Sequence, residues 1–377
     1  MTSFALPADL LPADGRFGAG PSKVRPAQLA AIERAGRDVI GTSHRKDGVK
    51  GIVGRVREGL AELFSLPEGY EIVLSLGGAT AFWDAASFSL IERRATHLAF
   101  GEFSEKFATV TTKAPWLEEP AVVRAEPGSA PEIRHEPNTD AVAFPHNETS
   151  TGAALEPSRP ATAGDGPDPL VLVDATSGAG GLPVDVAQTD AYYFSPQKCF
   201  GSDGGLWLAA LSPAALERAE RLEAERFVPA FLSLTTAIEN SRKNQTYNTP
   251  AVATLVMLAE QIDWMLREGG LGAMAARTAS NAEALYSWAD KRERFSPFVA
   301  EERHRSRVVG TIDVDESLDA AAIAKTLRAN GVLDCEPYRK LGRNQLRVGL
   351  FPNIDAADVE KLTAAIDAIV AAGVADR

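Results

Sequence analysis

The stretch YEIVLSLGGATAFWDAASFSLI, residues 70–91, combines two hydrophobic patterns that together indicate an α/β fold. The mostly apolar run Ile72–Leu76 predicts a buried strand, and the following Gly77 and Gly78 predict a tight turn. After the turn, four apolar residues lie on one face of a predicted helix: Phe82, Ala85, Ala86 and Leu90. A strand, a turn and a helix in this order are typical of an α/β sheet.

Two more apolar runs continue this pattern. PLVLVDATSG, residues 169–178, predicts a second buried strand that closes at Asp174, and GLWLAAL, residues 205–211, predicts a third. Between residues 117 and 168 the chain is rich in proline and acidic residues, which favours short strands and exposed turns.

The pattern changes after about residue 268. VVGTIDVD and NQLRVGLF predict two strands, and DAAAIAKTLRANG predicts a helix that Gly331 ends. A last helix follows Asp355, which is a candidate N-cap. We therefore predict three parts: an N-terminal arm of residues 1–25, a large α/β domain of residues 26–267, and a small α+β domain of residues 268–377.

Composition and charge argue against several classes of protein. The 377 residues are 45% hydrophobic and 24% charged, which is typical of a soluble globular protein. The net charge of -12 argues against a nucleic-acid partner. We expect a cytoplasmic protein without membrane spans, because neither a signal peptide nor a run of membrane-spanning length is found. Cys199 and Cys335 form no disulfide framework or zinc motif, and no metal site is predicted.

A single lysine, Lys198, stands near the end of the apolar segment YYFSPQKCFG, residues 192–201. Lysine is seldom buried without a reason. Lys198 and Asp174 both follow apolar runs, and ligands of open α/β sheets bind at the ends of such strands. The two side chains could form a buried ion pair. Alternatively, a desolvated lysine can form a Schiff base with an aldehyde such as pyridoxal phosphate, whose pyridine nitrogen needs an anion such as Asp174.

The motif GGAT, residues 77–80, lies between a predicted strand and a predicted helix. Exposed N–H groups at such a position favour an anion, for example a phosphate. Gly78 allows a close approach of the backbone, and Thr80 adds a hydroxyl group. Taken alone, the motif favours a simple turn, so the phosphate-binding interpretation depends on the other motifs.

Together, these segments resemble the fold type I pyridoxal-phosphate enzymes, and more specifically the phosphoserine aminotransferases of class V. The matching segments lie in order between residues 17 and 351: FGAGPS, TSHR, GGAT, HNETSTG, VDATSG, SPQKCFG, YNTP and LRVGLF. Their order and spacing cover nearly the whole chain and make the resemblance specific. The resemblance implies a large domain with a mostly parallel seven-stranded sheet flanked by helices, a smaller C-terminal α+β domain, pyridoxal 5'-phosphate as cofactor, and a homodimer with active sites at its interface.

The same resemblance implies roles for individual residues. Lys198 is implied as the Schiff-base lysine and proton carrier, Asp174 as the partner of the pyridine nitrogen, and residues 1–25 as an arm that reaches the active site. Further cofactor contacts are implied for Gly78, Ala79, Thr80, Phe103, Thr149, Gln197, Asn248 and Thr249, the last two from the neighbouring subunit. The anionic groups of the substrates are implied to contact Arg347, His44 and Arg45, with Arg339 and Arg343 as weaker candidates.

Two positions depart from the family pattern. Phe103 stands where many relatives have tryptophan, so the stacking surface on the cofactor is smaller. Thr80 stands where many relatives have arginine, so the phosphate site has one cation fewer.

The implied reaction is the reversible transfer of an amino group from L-glutamate to 3-phosphohydroxypyruvate, giving O-phospho-L-serine and 2-oxoglutarate in serine biosynthesis. A further role in pyridoxine biosynthesis stays open. The alternatives within the same fold are an alanine- or serine-glyoxylate-type aminotransferase and a cysteine desulfurase. A catalytically silent relative is the alternative outside enzymes, although both Lys198 and Asp174 are present.

Overall fold

The computed structural model describes residues 4–161 and 168–377 of the chain. Within these ranges the strands are β1 Glu71–Leu76, β2 Ala95–Ala99, β3 Ala121–Arg124, β4 Ala141–Pro145, β5 Asn147–Glu148, β6 Ala153–Ala154, β7 Leu170–Asp174, β8 Ala191–Phe194, β9 Leu206–Leu211, β10 Phe295–Pro297, β11 Val309–Val314 and β12 Gln345–Gly349. The α-helices are α1 Pro26–Asp38, α2 Asp47–Leu63, α3 Gly78–Ser89, α4 Glu102–Lys113, α5 Pro213–Glu225, α6 Leu234–Arg242, α7 Val252–Arg267, α8 Gly270–Asp290, α9 Ala320–Ala329 and α10 Ala356–Ala371.

Seven strands form one large sheet in the order β1-β9-β8-β7-β4-β2-β3. The neighbours from β8 to β3 pair in parallel, whereas β9 pairs antiparallel with β1 on one side and with β8 on the other. The prediction of a mostly parallel seven-stranded sheet is therefore confirmed. The three strands predicted from apolar runs are β1, β7 and β9.

Alternate side chains of the strands pack into two cores, one on each face of the large sheet. In β8, Tyr192 and Phe194 belong to the core that includes α1, α2 and α7, whereas Ala191 and Tyr193 belong to the core that includes α3 to α6. Successive side chains of a strand point to opposite faces, which explains this division. Because both faces are covered, the strands are continuous apolar runs in the sequence.

A second sheet, of order β10-β11-β12, is antiparallel and packs against α8, α9 and α10. Leu285 of α8 and Ile366 of α10 are buried in the core between them. Asp355 precedes α10 as predicted, but within the described chain its carboxylate makes no capping hydrogen bond to the helix. Asp355 is thus the N-cap residue as predicted, but its side chain accepts a 2.6 Å hydrogen bond from Arg277 Nη2 and not from the helix.

The N-terminal arm packs onto the small sheet and ends beside the large one. Phe17 is buried in the small-sheet core, and its carbonyl oxygen accepts a 2.7 Å hydrogen bond from the N–H of Gly349. Gly20 and Pro21, a few residues on, line the cavity at the edge of the large sheet. The predicted domain limits stay predictions, and their residues 1–3 and 162–167 lie outside the described ranges.

The structure also bears on three further features: membrane-spanning helices, metal sites and the state of the two cysteines. Among residues 4–161 and 168–377, no helix is long and apolar enough to cross a membrane. In the same ranges, no group of three or more His, Cys, Asp or Glu residues could hold a metal ion. Cys199 and Cys335 are free and buried, and burial raises the pKa of both thiols.

Candidate active site

A cavity of about 490 Å³ lies at the carboxyl ends of β1, β4, β7 and β8. These four strands run in one direction, so their ends meet at one edge of the sheet. The predicted residues that line the cavity are Gly78, Ala79, Thr80, Phe103, Thr149, Asp174, Gln197 and Lys198. The structure therefore brings together the cofactor-binding residues that were predicted within one subunit.

Lys198 follows β8 and is buried. Its Nζ donates a 2.5 Å hydrogen bond to the carbonyl oxygen of Ala19 in the N-terminal arm. Burial, with a smaller contribution from the positive charge of Arg347, lowers the pKa of Lys198 to about 8. Gly20 has φ +129, and a Cβ at this position would lie 2.2 Å from Nζ, so only glycine leaves room for the lysine.

Asp174 ends β7 and faces the cavity. Oδ1 accepts a 3.0 Å hydrogen bond from the backbone N–H of Thr176, and Oδ2 accepts a 3.0 Å hydrogen bond from Trp83 Nε1. Enclosure by protein raises the pKa of Asp174, whereas these donors and the charge of Lys198 lower it. A carboxylate with such donors is suited to bind a cation from the cavity.

The first turn of α3 forms another wall of the cavity. Gly77 and Gly78 both have positive φ, 102° and 73°, and no side chain caps the helix within the described chain. The first N–H groups of a helix have no partner inside the helix and favour an anion. Lys198 is the one basic side chain among the described residues that line the cavity. Because Thr80 adds no positive charge at this helix terminus, an anion there would be bound by backbone N–H groups and hydroxyl groups of the same chain.

Three more predicted residues line the cavity between Asp174 and the first turn of α3. Phe103 of α4 is half-buried and contributes an aromatic side chain to the cavity wall. Thr149 donates a 2.8 Å hydrogen bond from Oγ1 to Ser177 Oγ. Gln197 has a buried Oε1 without a hydrogen-bond partner among the described residues. This unpartnered atom indicates a wall that is built to contact a polar ligand.

Arg347 of β12 joins the small sheet to this region. Its Nη1 donates a 3.1 Å hydrogen bond to the carbonyl oxygen of Thr149, and its guanidinium carbon lies 5.2 Å from the ring centroid of Tyr338. Burial lowers the pKa of Arg347, but arginine stays charged. Nε is buried and has no hydrogen-bond partner in the described chain, so one edge of the guanidinium is available to an anion.

The two weaker substrate-binding candidates lie away from the cavity wall. Arg343 is exposed, donates a 2.7 Å hydrogen bond from Nη2 to Asp313 Oδ2, and lies 4.6 Å from the ring centroid of Phe298. Arg339 is exposed in the turn before β12. The guanidinium of Arg343 is already paired with the carboxylate of Asp313, so its positive charge is balanced within the chain and is not available to a substrate. The predicted role of both arginines stays a prediction.

Four further predicted residues form a separate group on the surface, which we call the outer cluster: His44, Arg45, Asn248 and Thr249. Thr249 Oγ1 and His44 Nδ1 lie 3.1 Å apart, and Arg45 Nη2 donates a 3.1 Å hydrogen bond to the carbonyl oxygen of Tyr247. In the described chain, none of the four lines the cavity of its own subunit. The structure thus brings these residues to one another but not to Lys198.

Sequence reasoning missed two residues that shape the cavity. Trp83 contacts Asp174, as described above. Glu148 is fully buried, and its Oε2 accepts hydrogen bonds from the N–H groups of Phe103, 3.1 Å, and Ser104, 3.0 Å, at the start of α4. Burial raises the pKa of Glu148. A glutamate within the segment HNETSTG was visible in the sequence, but its partners lie more than forty residues away.

Comparisons with known proteins agree with this arrangement. The family described as aminotransferase class V matches residues 125–362. The phosphoserine aminotransferase of Corynebacterium glutamicum is 63% identical over 380 residues, which cover 100% of this chain and 100% of that one. A phosphoserine aminotransferase structure from Cytophaga hutchinsonii has a TM-score of 0.86 at 23% identity and covers 94% of this chain and 99% of that one. A structure of phosphoserine aminotransferase bound to pyridoxal phosphate, from Trichomonas vaginalis, has a TM-score of 0.78 at 20% identity, and the match covers 94% of this chain and 99% of that one.

The two structural likenesses show the fold alone, whereas the relative from Corynebacterium is similar over the full length of both chains. The family match covers more than half of the chain and includes β4, β7 and β8, which carry the cavity. The chain therefore belongs to the class V aminotransferases and, within them, to the phosphoserine aminotransferase family.

Proposed function

We propose that the cavity around Lys198 is where this phosphoserine aminotransferase moves an amino group between L-glutamate and 3-phosphohydroxypyruvate, giving 2-oxoglutarate and O-phospho-L-serine in serine biosynthesis. One observation supports the proposal most directly: Lys198, Asp174 and the N-terminus of α3 line the same cavity. A lysine, a carboxylate and an anion site are the contacts that pyridoxal 5'-phosphate requires.

The residues present fit this cofactor. The backbone N–H groups of Gly78, Ala79 and Thr80 would hold its phosphate, and Asp174 would bind its pyridine nitrogen. Phe103 would contact the ring face, and the buried, unpartnered Oε1 of Gln197 would receive a partner at the ring edge. When bound, pyridoxal phosphate supplies a carbonyl that accepts the amino group and a ring that withdraws electrons from the reacting carbon.

Lys198 holds and moves the proton. With a pKa of about 8, its amine is close to half protonated just above neutral pH, so Nζ can both accept a proton and return it. The carbonyl oxygen of Ala19 accepts a hydrogen bond from Nζ and keeps the side chain directed along the cavity wall. Ordinary lysine, with a pKa of 10.5, would be protonated nearly all the time and could not act as a base at neutral pH.

Arg347 binds the α-carboxylate that both amino-acid substrates share. Its planar guanidinium can bind a carboxylate with two parallel hydrogen bonds. The bond from Nη1 to the carbonyl of Thr149 fixes the orientation of the group, and the buried Nε faces the remaining side. The charge of Arg347 also lowers the pKa of Lys198, so the residue that holds the substrate favours the basic form of the lysine.

The outer cluster of a second copy of this chain has two roles: His44 and Arg45 bind the distal anion of each substrate, and Asn248 and Thr249 contact the phosphate of the cofactor. His44 and Arg45 do not line the cavity of their own subunit in the described structure, although Arg45 carries the positive charge, and His44 the ring nitrogens, that can bind a phosphate or second carboxylate. Two large apolar side chains lie exposed near these sites: Phe231, 46% exposed, beside Gly77, and Tyr247, 42% exposed, beside Arg45. A homodimer would cover these side chains and would complete each site with the outer cluster of its partner.

Two observations weigh against a cysteine desulfurase. That reaction needs a reactive thiolate, but Cys199 and Cys335 are buried and their pKa values are raised. Free, buried thiols also fit a reducing compartment, and we place the enzyme in the cytoplasm.

The test is a spectroscopic titration of the protein loaded with pyridoxal phosphate. We expect O-phospho-L-serine to convert the visible absorption band of the bound cofactor to that of its amino form, whereas L-alanine and L-cysteine leave the band unchanged. Lys198→Ala is the control, because it removes the amine and abolishes the band of the lysine-bound cofactor. A band that responds to alanine or cysteine but ignores phosphoserine would refute the substrate, and no band at all would refute the cofactor.

The shared site is tested by mixing two inactive variants. Lys198→Ala and Arg45→Ala each lack one component, but a mixed dimer contains one intact site built from both subunits. Random exchange gives half mixed dimers, so we expect about a quarter of the wild-type activity after unfolding and refolding together. An activity no higher than the sum of the separate variants would show that Arg45 serves only its own subunit.

A further inference from the structure

Trp83 is a buried residue of the cavity wall, with 4% of its surface exposed. It lies on α3, three residues beyond Thr80, and its Nε1 donates a 3.0 Å hydrogen bond to Oδ2 of Asp174. The indole ring stacks on Phe107, with ring centroids 6.0 Å apart and an interplanar angle of 14°. This stacking holds the indole plane, so the N–H group is directed at the carboxylate.

The hydrogen bonds of Asp174 leave room for one more donor on each oxygen. A carboxylate enclosed by protein takes up a proton unless donors stabilise its charge. Trp83 supplies a donor to Oδ2, and the backbone N–H of Thr176 supplies a donor to Oδ1. Each carboxylate oxygen has two lone pairs, so each keeps one that is not used by these bonds. Since Asp174 is part of the cavity wall, the cavity is where a further donor can approach.

Tyr193 lies close enough to Asp174 for the two to interact, but it does not replace Trp83 as a donor. The buried hydroxyl of Tyr193 lies near the indole N–H of Trp83 and has no other hydrogen-bond partner among the described residues. Burial, together with the negative charge of Asp174, raises the pKa of Tyr193 well above its usual value. Tyr193 is therefore a neutral neighbour, whereas Trp83 donates directly to the carboxylate.

We propose that Trp83 is a positioning residue for Asp174: its indole N–H keeps the carboxylate ionised and directs a free lone pair into the cavity, toward the protonated pyridine nitrogen of the cofactor. The proposal rests on the proposed function, since it requires Asp174 to contact that nitrogen. It gives α3 two tasks. The first turn binds the phosphate, and Trp83, on the same face of the helix as Thr80, supports the group that binds the other end of the ligand.

The test compares two ligands on two forms of the protein. Trp83→Phe keeps an aromatic ring on α3 and removes the N–H donor. Pyridoxal phosphate and its 1-deaza analogue, in which C–H replaces the ring nitrogen, differ at the one atom that Asp174 contacts in the proposal. Because a hydrogen bond to a charged group is lost, we expect Trp83→Phe to weaken binding of pyridoxal phosphate about tenfold and to leave the Kd of the deaza analogue unchanged. Equilibrium dialysis against the cofactor-free protein measures both constants.

Trp288→Phe is the matched control, because Trp288 Nε1 donates a 3.1 Å hydrogen bond to Asp367 in the small domain, away from the cavity. We expect this variant to bind both ligands as the wild type does. Equal losses of both ligands in Trp83→Phe, or no loss of either, would overturn the proposal. If Trp83→Phe fails to fold, 3-benzothienylalanine at position 83 keeps the shape of tryptophan without its N–H and allows the same comparison. A wild-type protein that binds the two ligands equally would refute the role of Asp174 in the proposed function itself.

Discussion

Replacing Lys198 by methionine removes a buried ammonium group while keeping an unbranched side chain of similar length. Burial, with a smaller contribution from the charge of Arg347, lowers the pKa of Lys198 to about 8. The protonated lysine therefore costs the folded protein free energy that a neutral side chain avoids. We expect the cofactor-free Lys198→Met protein to be more stable than the wild type at neutral pH.

The difference in pKa sets the size and the pH range of this effect. The pKa of the lysine falls from 10.5 to about 8 on folding, and one pKa unit corresponds to about 1.36 kcal/mol. The unfolded chain binds the proton more tightly than the folded one. The penalty is therefore complete below pH 8, decreases as the pH rises toward 10.5, and is lost above it. We expect a penalty of roughly 3 kcal/mol at pH 7 and less than about 1 kcal/mol at pH 10.

Urea unfolding of both cofactor-free proteins between pH 7 and pH 10 measures this gap. Ionisable groups far from Lys198 are common to both proteins, so their contributions cancel in the difference. Lys325→Met, on the exposed side of α9, is the control and is expected to show no gap that depends on pH in this way. The explanation fails if Lys198→Met is less stable than the wild type at pH 7, or if the gap stays constant up to pH 10.

Three further changes test other parts of the site. Arg347→Lys loses the guanidinium fork, and we expect steady-state kinetics to show a ten- to hundredfold lower kcat/KM for glutamate, whereas exposed Arg328→Gln stays near wild type. Thr80→Arg adds a cation at the N-terminus of α3, so we expect cofactor titrations to show tighter binding that weakens with salt; affinity independent of salt would contradict a phosphate there. Glu148→Ala leaves two N–H groups at the start of α4 without an acceptor. Each unsatisfied N–H group lowers the free energy of unfolding by about 1–3 kcal/mol, so we expect a lower midpoint of thermal unfolding. An unchanged midpoint would show that water replaces the carboxylate.

The large sheet could be predicted because its strands are buried on both faces. Ile72–Leu76, with Ser75 as its one polar residue, and Leu170–Val173 are apolar runs followed by turn residues, and both lie in strands of the structure. The position of β9 could not be predicted in the same way. Its apolar run, Leu206–Leu211, does not reveal that it lies antiparallel between β1 and β8, because that arrangement depends on contacts between distant segments.

Side chains with distant partners show the same limit at the site. Lys198 and Asp174 could be found because Asp174 directly follows an apolar run and Lys198 comes shortly after another, which ends at Phe194. Trp83 could not, since it looks like an ordinary apolar helix residue and its partner Asp174 lies 91 residues away. Asp355 was expected to cap α10, but Arg277, 78 residues away, binds its carboxylate instead. Local patterns reveal a residue's position, whereas its hydrogen-bond partner depends on the tertiary fold.

The cavity wall gathers groups that oppose folding when considered one by one. Lys198 has a lowered pKa, Asp174 has a raised pKa, and Gln197 Oε1 is buried without a partner in the described chain. The cores on both faces of the sheet offset these costs. A ligand that supplies partners to the same groups recovers part of the cost, and its binding then stabilises the folded state in proportion to its affinity. It follows that Lys198→Met gains stability and loses the site for one reason, because the same desolvation makes the ammonium costly to bury and leaves more of the amine neutral and able to react.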